Sequence, residues 1–168
     1  MNMLALHIPN VKNFMNGMLV GNLFDPFLMI EGSLVTAISY TFDGHLNREF
    51  YPPEERSCEM HPYEYQPWSE SKQTLLSLIK GNNTPICMRF MLQLMPEKAE
   101  EMLKKASPDT DFSQLKSLIL NIKYENGTIT LTTGTSYNTF VMSHDADIIW
   151  DRSIQKYLSG KGVEFDLL

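Results

Sequence analysis

Residues 118–133 read LILNIKYENGTITLTT. Leu118, Leu120, Ile122 and Tyr124 alternate with other residues, then Asn126-Gly127 interrupts the run, then Thr128 to Thr133 alternates again. Two alternating runs joined by Asn-Gly make a two-residue β-hairpin, because both turn positions need the positive φ that Asn and Gly tolerate best. A hairpin cannot be parallel, so this stretch commits the chain to an antiparallel sheet.

The rest of the chain fits around that hairpin. Leu4, Leu6 and Ile8 predict a short strand. Asn10 is a good N-cap, and Val11, Phe14, Met15 and Met18 fall at helical spacing, ending near Gly21-Asn22. Strands are expected over 27–30 and 34–42, with Asp43-Gly44 as a second two-residue turn and a further strand through Phe50. Residues 51–67 contain four prolines and many charges, which predicts an irregular loop. A helix over 68–80 presents Trp68, Leu75, Leu76 and Ile79, and Gly81-Asn82-Asn83 stops it. Met88, Phe90, Leu92 and Leu94 predict a strand, and Pro96 suits the first position of a helix that buries Ala99, Met102, Leu103 and Ala106. Tyr137 to Met142 suits one more strand. A last helix over 146–158 presents Trp150, Ile154, Tyr157 and Leu158.

The order repeats. At a shift of 84, residues 4–40 match 88–124 at seven of 37 positions, among them Met18-Leu19 on Met102-Leu103 and Ser33-Leu34 on Ser117-Leu118. At a shift of 82, WSESKQTLLS (68–77) matches WDRSIQKYLS (150–159) at five of ten. The match lapses at 27–32, where a rival register pairs Gly32 with Gly127. The reading is a single domain over 1–168 built of two repeats, 1–84 and 85–168. Each is a βαββ(β)α unit, so the fold class is α+β with a mainly antiparallel sheet and helices on one face. Joined edge to edge, two units give one continuous sheet with pseudo-twofold symmetry. The first helix is asparagine-rich and nearly uncharged and the second carries glutamates and lysines, so the first is expected to be the more buried.

This unit is similar to those of sliding-clamp domains, on LKSLILNIKYENGTITLTTGTSYNTFVMS (115–143), and to the TATA-binding-protein fold, whose repeats also end in a helix. Those are likenesses of fold and imply no activity. Taken whole, the chain resembles a family of uncharacterised bacterial proteins from anaerobic Firmicutes, a domain of unknown function. The stretches that carry this are FDGHLNREF (42–50), LIKGNNTP (78–85) and NIKYENGTITLTTGTS (121–136). The resemblance spans nearly the full length and implies a bacterial cytoplasmic protein.

Several groups carry side chains of the types that do chemistry. Cys58 and His61 have the spacing C-x-x-H, and His45 or His144 could join them. A zinc site needs four ligands, and no second ordered pair exists. The reading is therefore no metal, no cofactor and no catalytic residue, with Cys58, His61 and His45 as weak candidates. HDADIIWD (144–151) offers His144, Asp145, Asp147 and Asp151 near a helix start, read as Asp145 or Asp147 capping that helix. TTGTS (132–136) reads as sheet-edge threonines rather than a phosphate loop. Lys98, Lys104, Lys105, Arg152, Lys156 and Lys161 read as a solvated helix face. The tail GVEFDLL (162–168) reads as a final strand or packed terminus.

Net charge of −6 weighs against binding nucleic acid by bulk electrostatics. Two cysteines form no disulfide framework, with Cys87 expected to be buried, and no signal peptide or membrane-length apolar run is present, so a cytoplasmic setting is expected. The expectation is a non-enzymatic protein acting through a protein partner or self-association. The alternatives are a clamp-like nucleic-acid accessory protein and a metal-dependent enzyme using the 45/58/61 region.

Overall fold

A computed structural model describes residues 3–79, 81 and 83–168. Lys80 at the expected helix end and Asn82 of the stop signal lie outside the described residues. Eight strands and four α-helices follow in order: β1 (Ala5–Ile8), α1 (Val11–Leu19), β2 (Phe27–Val35), β3 (Ser39–Asp43), β4 (Gln66–Pro67) and α2 (Trp68–Leu78). Then come β5 (Cys87–Leu94), α3 (Pro96–Ala106), β6 (Leu115–Glu125), β7 (Thr128–Tyr137), α4 (Asp145–Gly160) and β8 (Asp166–Leu167). No helix is long and apolar enough to cross a membrane among the described residues.

The strands form one open antiparallel sheet in the order β3-β2-β5-β6-β7-β1-β8, with β4 also paired to β2. The β6–β7 hairpin forms as expected: Asn126 and Gly127 have φ of 54° and 73°, the pair of positive values that a two-residue turn of this hand requires. β7 runs on to Tyr137, and the further strand expected over 137–142 is absent, residues 138–144 forming a loop.

Asp43-Gly44 is not a turn. β2 and β3 pair from Glu31↔Asp43 to Val35↔Ser39, so their turn lies at residues 36–38. Gly44 instead packs against β2, where its N–H donates to the Ile30 carbonyl at 2.8 Å. A Cβ on residue 44 would stand 1.8 Å from the Met29 carbonyl oxygen, so glycine serves here as the only residue able to approach. The ladder between β2 and β5 slips at this point, between Met29 and Glu31. Beyond Gly44 the expected strand through Phe50 is replaced by a short 3₁₀ turn over Arg48–Phe50.

One face of the sheet is covered. Leu6, Ile8, Met88, Phe90, Leu92, Leu118, Leu120, Ile122, Ile129 and Leu131 join Phe14, Met18, Trp68, Leu75, Leu103, Trp150, Ile154 and Leu158 from the helices in one buried cluster. Each such side chain contributes about 1.5–3 kcal/mol on burial, which outweighs the weak helix propensity of the nine-residue α1. Asn10 caps α1 by accepting from the Asn13 N–H at 3.1 Å. Three of its nine residues are buried, against Leu103 alone in the eleven of α3. The first helix is thus the more buried, as expected. Leu76, assigned to the buried face of α2, is 42% exposed.

Both halves have the order strand, helix, hairpin, helix, but they connect differently. α3 joins β5 to its antiparallel neighbour β6. α1 joins β1 to β2, which lie three strands apart with β5, β6 and β7 between them. Four antiparallel steps separate β1 from β2, so the two run in the same direction. Exchanging the halves therefore does not map the sheet onto itself, and the expected pseudo-twofold is not the observed arrangement. The aligned tryptophans show the same divergence. Trp68 donates its indole N–H to the Met18 carbonyl on α1, at 2.9 Å. Trp150 donates to the Ile119 carbonyl on β6, at 2.8 Å.

Candidate functional site

The middle of the sheet's second face is open, with the Arg89 and Lys123 side chains 58% and 46% exposed, while Leu28 and Gln93 at one end of it are buried. Alternation puts a second, polar set of side chains there. Strand pairing arranges them in rows that cross the sheet. One row runs Thr41, Ser33, Arg89, Lys123, Thr130, His7, Asp166. The next runs Asp43, Glu31, Met91, Asn121, Thr132, Ala5. The middle of this face is a shallow concavity of about 510 Å³.

Its centre is electrostatically unusual. Arg89 on β5 stands directly opposite Lys123 on β6. Like charges directly across a ladder are unfavourable. Glu125 answers both: Lys123 Nζ lies 2.9 Å and Arg89 Nη2 3.8 Å from its Oε2. The Lys123 hydrogen bond and charge, with Arg89 as a lesser contributor, hold the Glu125 carboxyl below its ordinary pKa. Hydroxyls flank the cations, Ser33 beside Arg89 and Thr130 beside Lys123. Acidic groups, Glu31 and Asp43, lie one row away on β2 and β3.

HDADIIWD (144–151) and TTGTS (132–136) meet in space. α4 packs on β7, and the buried Asp147 accepts hydrogen bonds from the Thr135 and Tyr137 hydroxyls, the latter at 3.2 Å. His144 Nδ1 lies 3.2 Å from its other oxygen. One helical turn on, Thr133 donates to Asp151 at 2.5 Å while accepting from the Leu4 N–H at 3.1 Å. Burial raises the Asp151 pKa, the Thr133 bond opposes that, and the Asp147 charge adds to it. Burial and Asp147 likewise raise Tyr137, against the Thr135 hydrogen bond. Neither Asp145 nor Asp147 caps α4: the N-cap is His144, with no side-chain cap bond, because Asp147 turns to β7. Thr132 and Thr133 lie inside the sheet, held by Ala5 and Leu4, whereas Gly134 to Ser136 pair with β6 alone and lie at an edge, as expected.

The weak metal candidates are not brought together. His45 bridges to Tyr65 and lies edge-on to its ring, 4.0 Å from Glu64. His61 stacks on Tyr51 with ring centroids 3.8 Å apart, and its carbonyl accepts from Arg48 at 2.8 Å. Cys58 is exposed, and Cys87, expected to be buried, is half-buried at the start of β5. Among the described residues no group of three or more His, Cys, Asp or Glu side chains is placed to hold a metal ion. Nearby, Tyr63 donates to Glu97, and that bond, with burial and the Glu97 charge, pushes its pKa to about 12. The tail forms β8 on the edge of β1, fixed by His7 to Asp166 at 3.3 Å.

Sequence reasoning missed the Arg89–Lys123 pair. Nothing local marks it, since 34 positions separate the two and only the β5–β6 register makes them neighbours. No curated protein and no solved structure matches the chain. The family of unknown function DUF5721 matches residues 17–166, and the chain belongs to that family.

Proposed function

We propose that this is a non-enzymatic protein that acts through protein contact, with the uncovered sheet face as the contact surface and a second copy of the chain as the partner. The observation that carries the reading is the charge pattern of that face. Arg89 and Lys123, sharing the one carboxylate of Glu125, form a block of net positive charge, and Glu31 and Asp43 an acidic one, on neighbouring strands. A twofold dimer buries the same patch on both subunits, so a face carrying both signs in separate blocks complements itself. Placing Arg89 of each copy on Glu31 of the other relieves the like-charge pair and forms two equivalent ion pairs. A cytoplasmic setting belongs to this reading, supported by the two free cysteines. So does the tandem duplication, supported by the shared element order of the halves.

Static light scattering against concentration tests it. The expected result is a reversible dimer that weakens as salt rises. A monomer at every concentration, at low salt, contradicts it. A second reading, a clamp-like nucleic-acid accessory protein, draws on the same cationic pair flanked by hydroxyls. Anisotropy of a labelled oligonucleotide at low salt separates the two: binding lost on Arg89→Glu favours the second.

A further inference from the structure

We propose that the crevice between α3 and α4 is a binding site for an anionic amphiphile of small-molecule size, an apolar chain ending in a carboxylate. α3 is thinly attached to the body. Leu103 is its one buried residue, helped by the half-buried Ala99 and Met102. It therefore leaves a crevice on each flank, about 410 Å³ toward residues 110–118 and about 470 Å³ toward α4. Both volumes lie in the range of small-molecule sites.

The two crevices differ in chemistry. The first is lined by Glu100 and Asp111 as well as Lys104 and Lys116, and Glu100 already holds Lys104 at 2.7 Å. The second has an apolar floor of Phe27, Leu94, Trp150 and Ile154, none more than 8% exposed. Its charged lining groups are Lys105 and Lys156, and no carboxylate lines it, although the chain as a whole carries −6. Neither lysine has an ion-pair partner among the described residues, where the bridging lysines are Lys72, Lys104 and Lys123. The Tyr157 hydroxyl is engaged by the Leu23 carbonyl at 2.6 Å, so that residue offers the crevice its ring. An apolar slot with two free cations at its rim complements an apolar body with one negative end, and it repels a cationic or acid-rimmed one. The volume suits a single chain better than a peptide helix.

Trp150 in the floor supplies a built-in reporter, and the second tryptophan, Trp68, is fully buried under α1. The test titrates the intact protein with 12-bromododecanoate below its micelle concentration and follows tryptophan emission. The expected result is saturable partial quenching, accompanied by a rise in the thermal unfolding midpoint. Lys105→Glu with Lys156→Glu, both at exposed positions, weakens the affinity at least tenfold. Ala106→Glu, which sets a carboxylate at the mouth, does the same, and 12-bromododecylammonium gives no saturable quenching. Absence of saturable quenching overturns the proposal, as does unchanged affinity in the double variant with its urea midpoint preserved, or equal binding of the cationic probe.

Discussion

Arg89 and Lys123 face each other across β5 and β6 in direct register, and one carboxylate, Glu125, serves both. The pairing opposes sheet stability, since like charges opposite one another disfavour the ladder while a β-branched residue would favour it. Lys123→Thr is therefore expected to hold or raise the unfolding free energy measured in urea, by up to about 0.5 kcal/mol. A fall of the midpoint would show that Lys123 is there for the fold. Glu125→Gln is expected to lower the midpoint, and 1 M salt is expected to erase the difference.

Gly44 is expected to tolerate no side chain. Gly44→Ala drives a Cβ to 1.8 Å from the Met29 carbonyl oxygen, a backbone atom that cannot step aside without breaking the β2 bulge. The expected loss is at least about 3 kcal/mol by chemical denaturation, the upper range for overpacking. Gly160→Ala, at the end of α4 with nothing within 4 Å, is expected to be neutral or stabilising by up to about 1 kcal/mol. Equal effects at the two sites would contradict the assignment of Gly44 to close packing.

Asp147 and Asp151 are expected to part company on substitution. Asp147→Ala strands the Thr135 and Tyr137 hydroxyls against a buried helix face, at about 2–4 kcal/mol. Asp151→Asn keeps an oxygen for Thr133 and removes a carboxyl whose charged form burial disfavours. At neutral pH this variant is expected to be as stable as the wild type or slightly more, by no more than about 1 kcal/mol because Asp151 is only half-buried.

The pH dependence follows with a definite sign. The folded pKa of Asp151 lies above its unfolded value, so between the two the folded state holds more protons. Stability then falls as pH rises through that window and is highest below it. Asp151→Asn is expected to flatten this part of the profile. Denaturation midpoints of both proteins, followed upward in pH from the ordinary carboxylate range, measure it, and identical slopes would contradict the assignment.

The legible parts of this chain were those set by neighbours in sequence. Asn126-Gly127 reads correctly because a two-residue turn needs two positive φ values and the surrounding alternation fixes both strands. Asn10, Pro96 and most of the helices' apolar stripes read correctly for the same reason, while Leu76 and Ala106, read as buried, are exposed. Asp43-Gly44 has the same turn chemistry and misleads, because Gly44 answers to the Met29 carbonyl fifteen residues away and not to its own φ. The convergence of Asp147 with Thr135 and of Asp151 with Thr133 depends on α4 packing on β7. The Arg89–Lys123 pair depends on register across strands. Neither has a local signature. The matching halves suggested equivalent connections, but β1 pairs with β7 at the far side of the sheet, a choice made by strand edges rather than by either half.

The most direct test of the open-face account is a charge swap between Arg89 and Glu31, read by sedimentation equilibrium at low salt. Arg89→Glu and Glu31→Arg are each expected to abolish the dimer. An equimolar mixture of the two variants, and the double variant alone, are expected to restore it. A wild-type protein that stays monomeric, or single variants that dimerise as well as the wild type, would contradict the account.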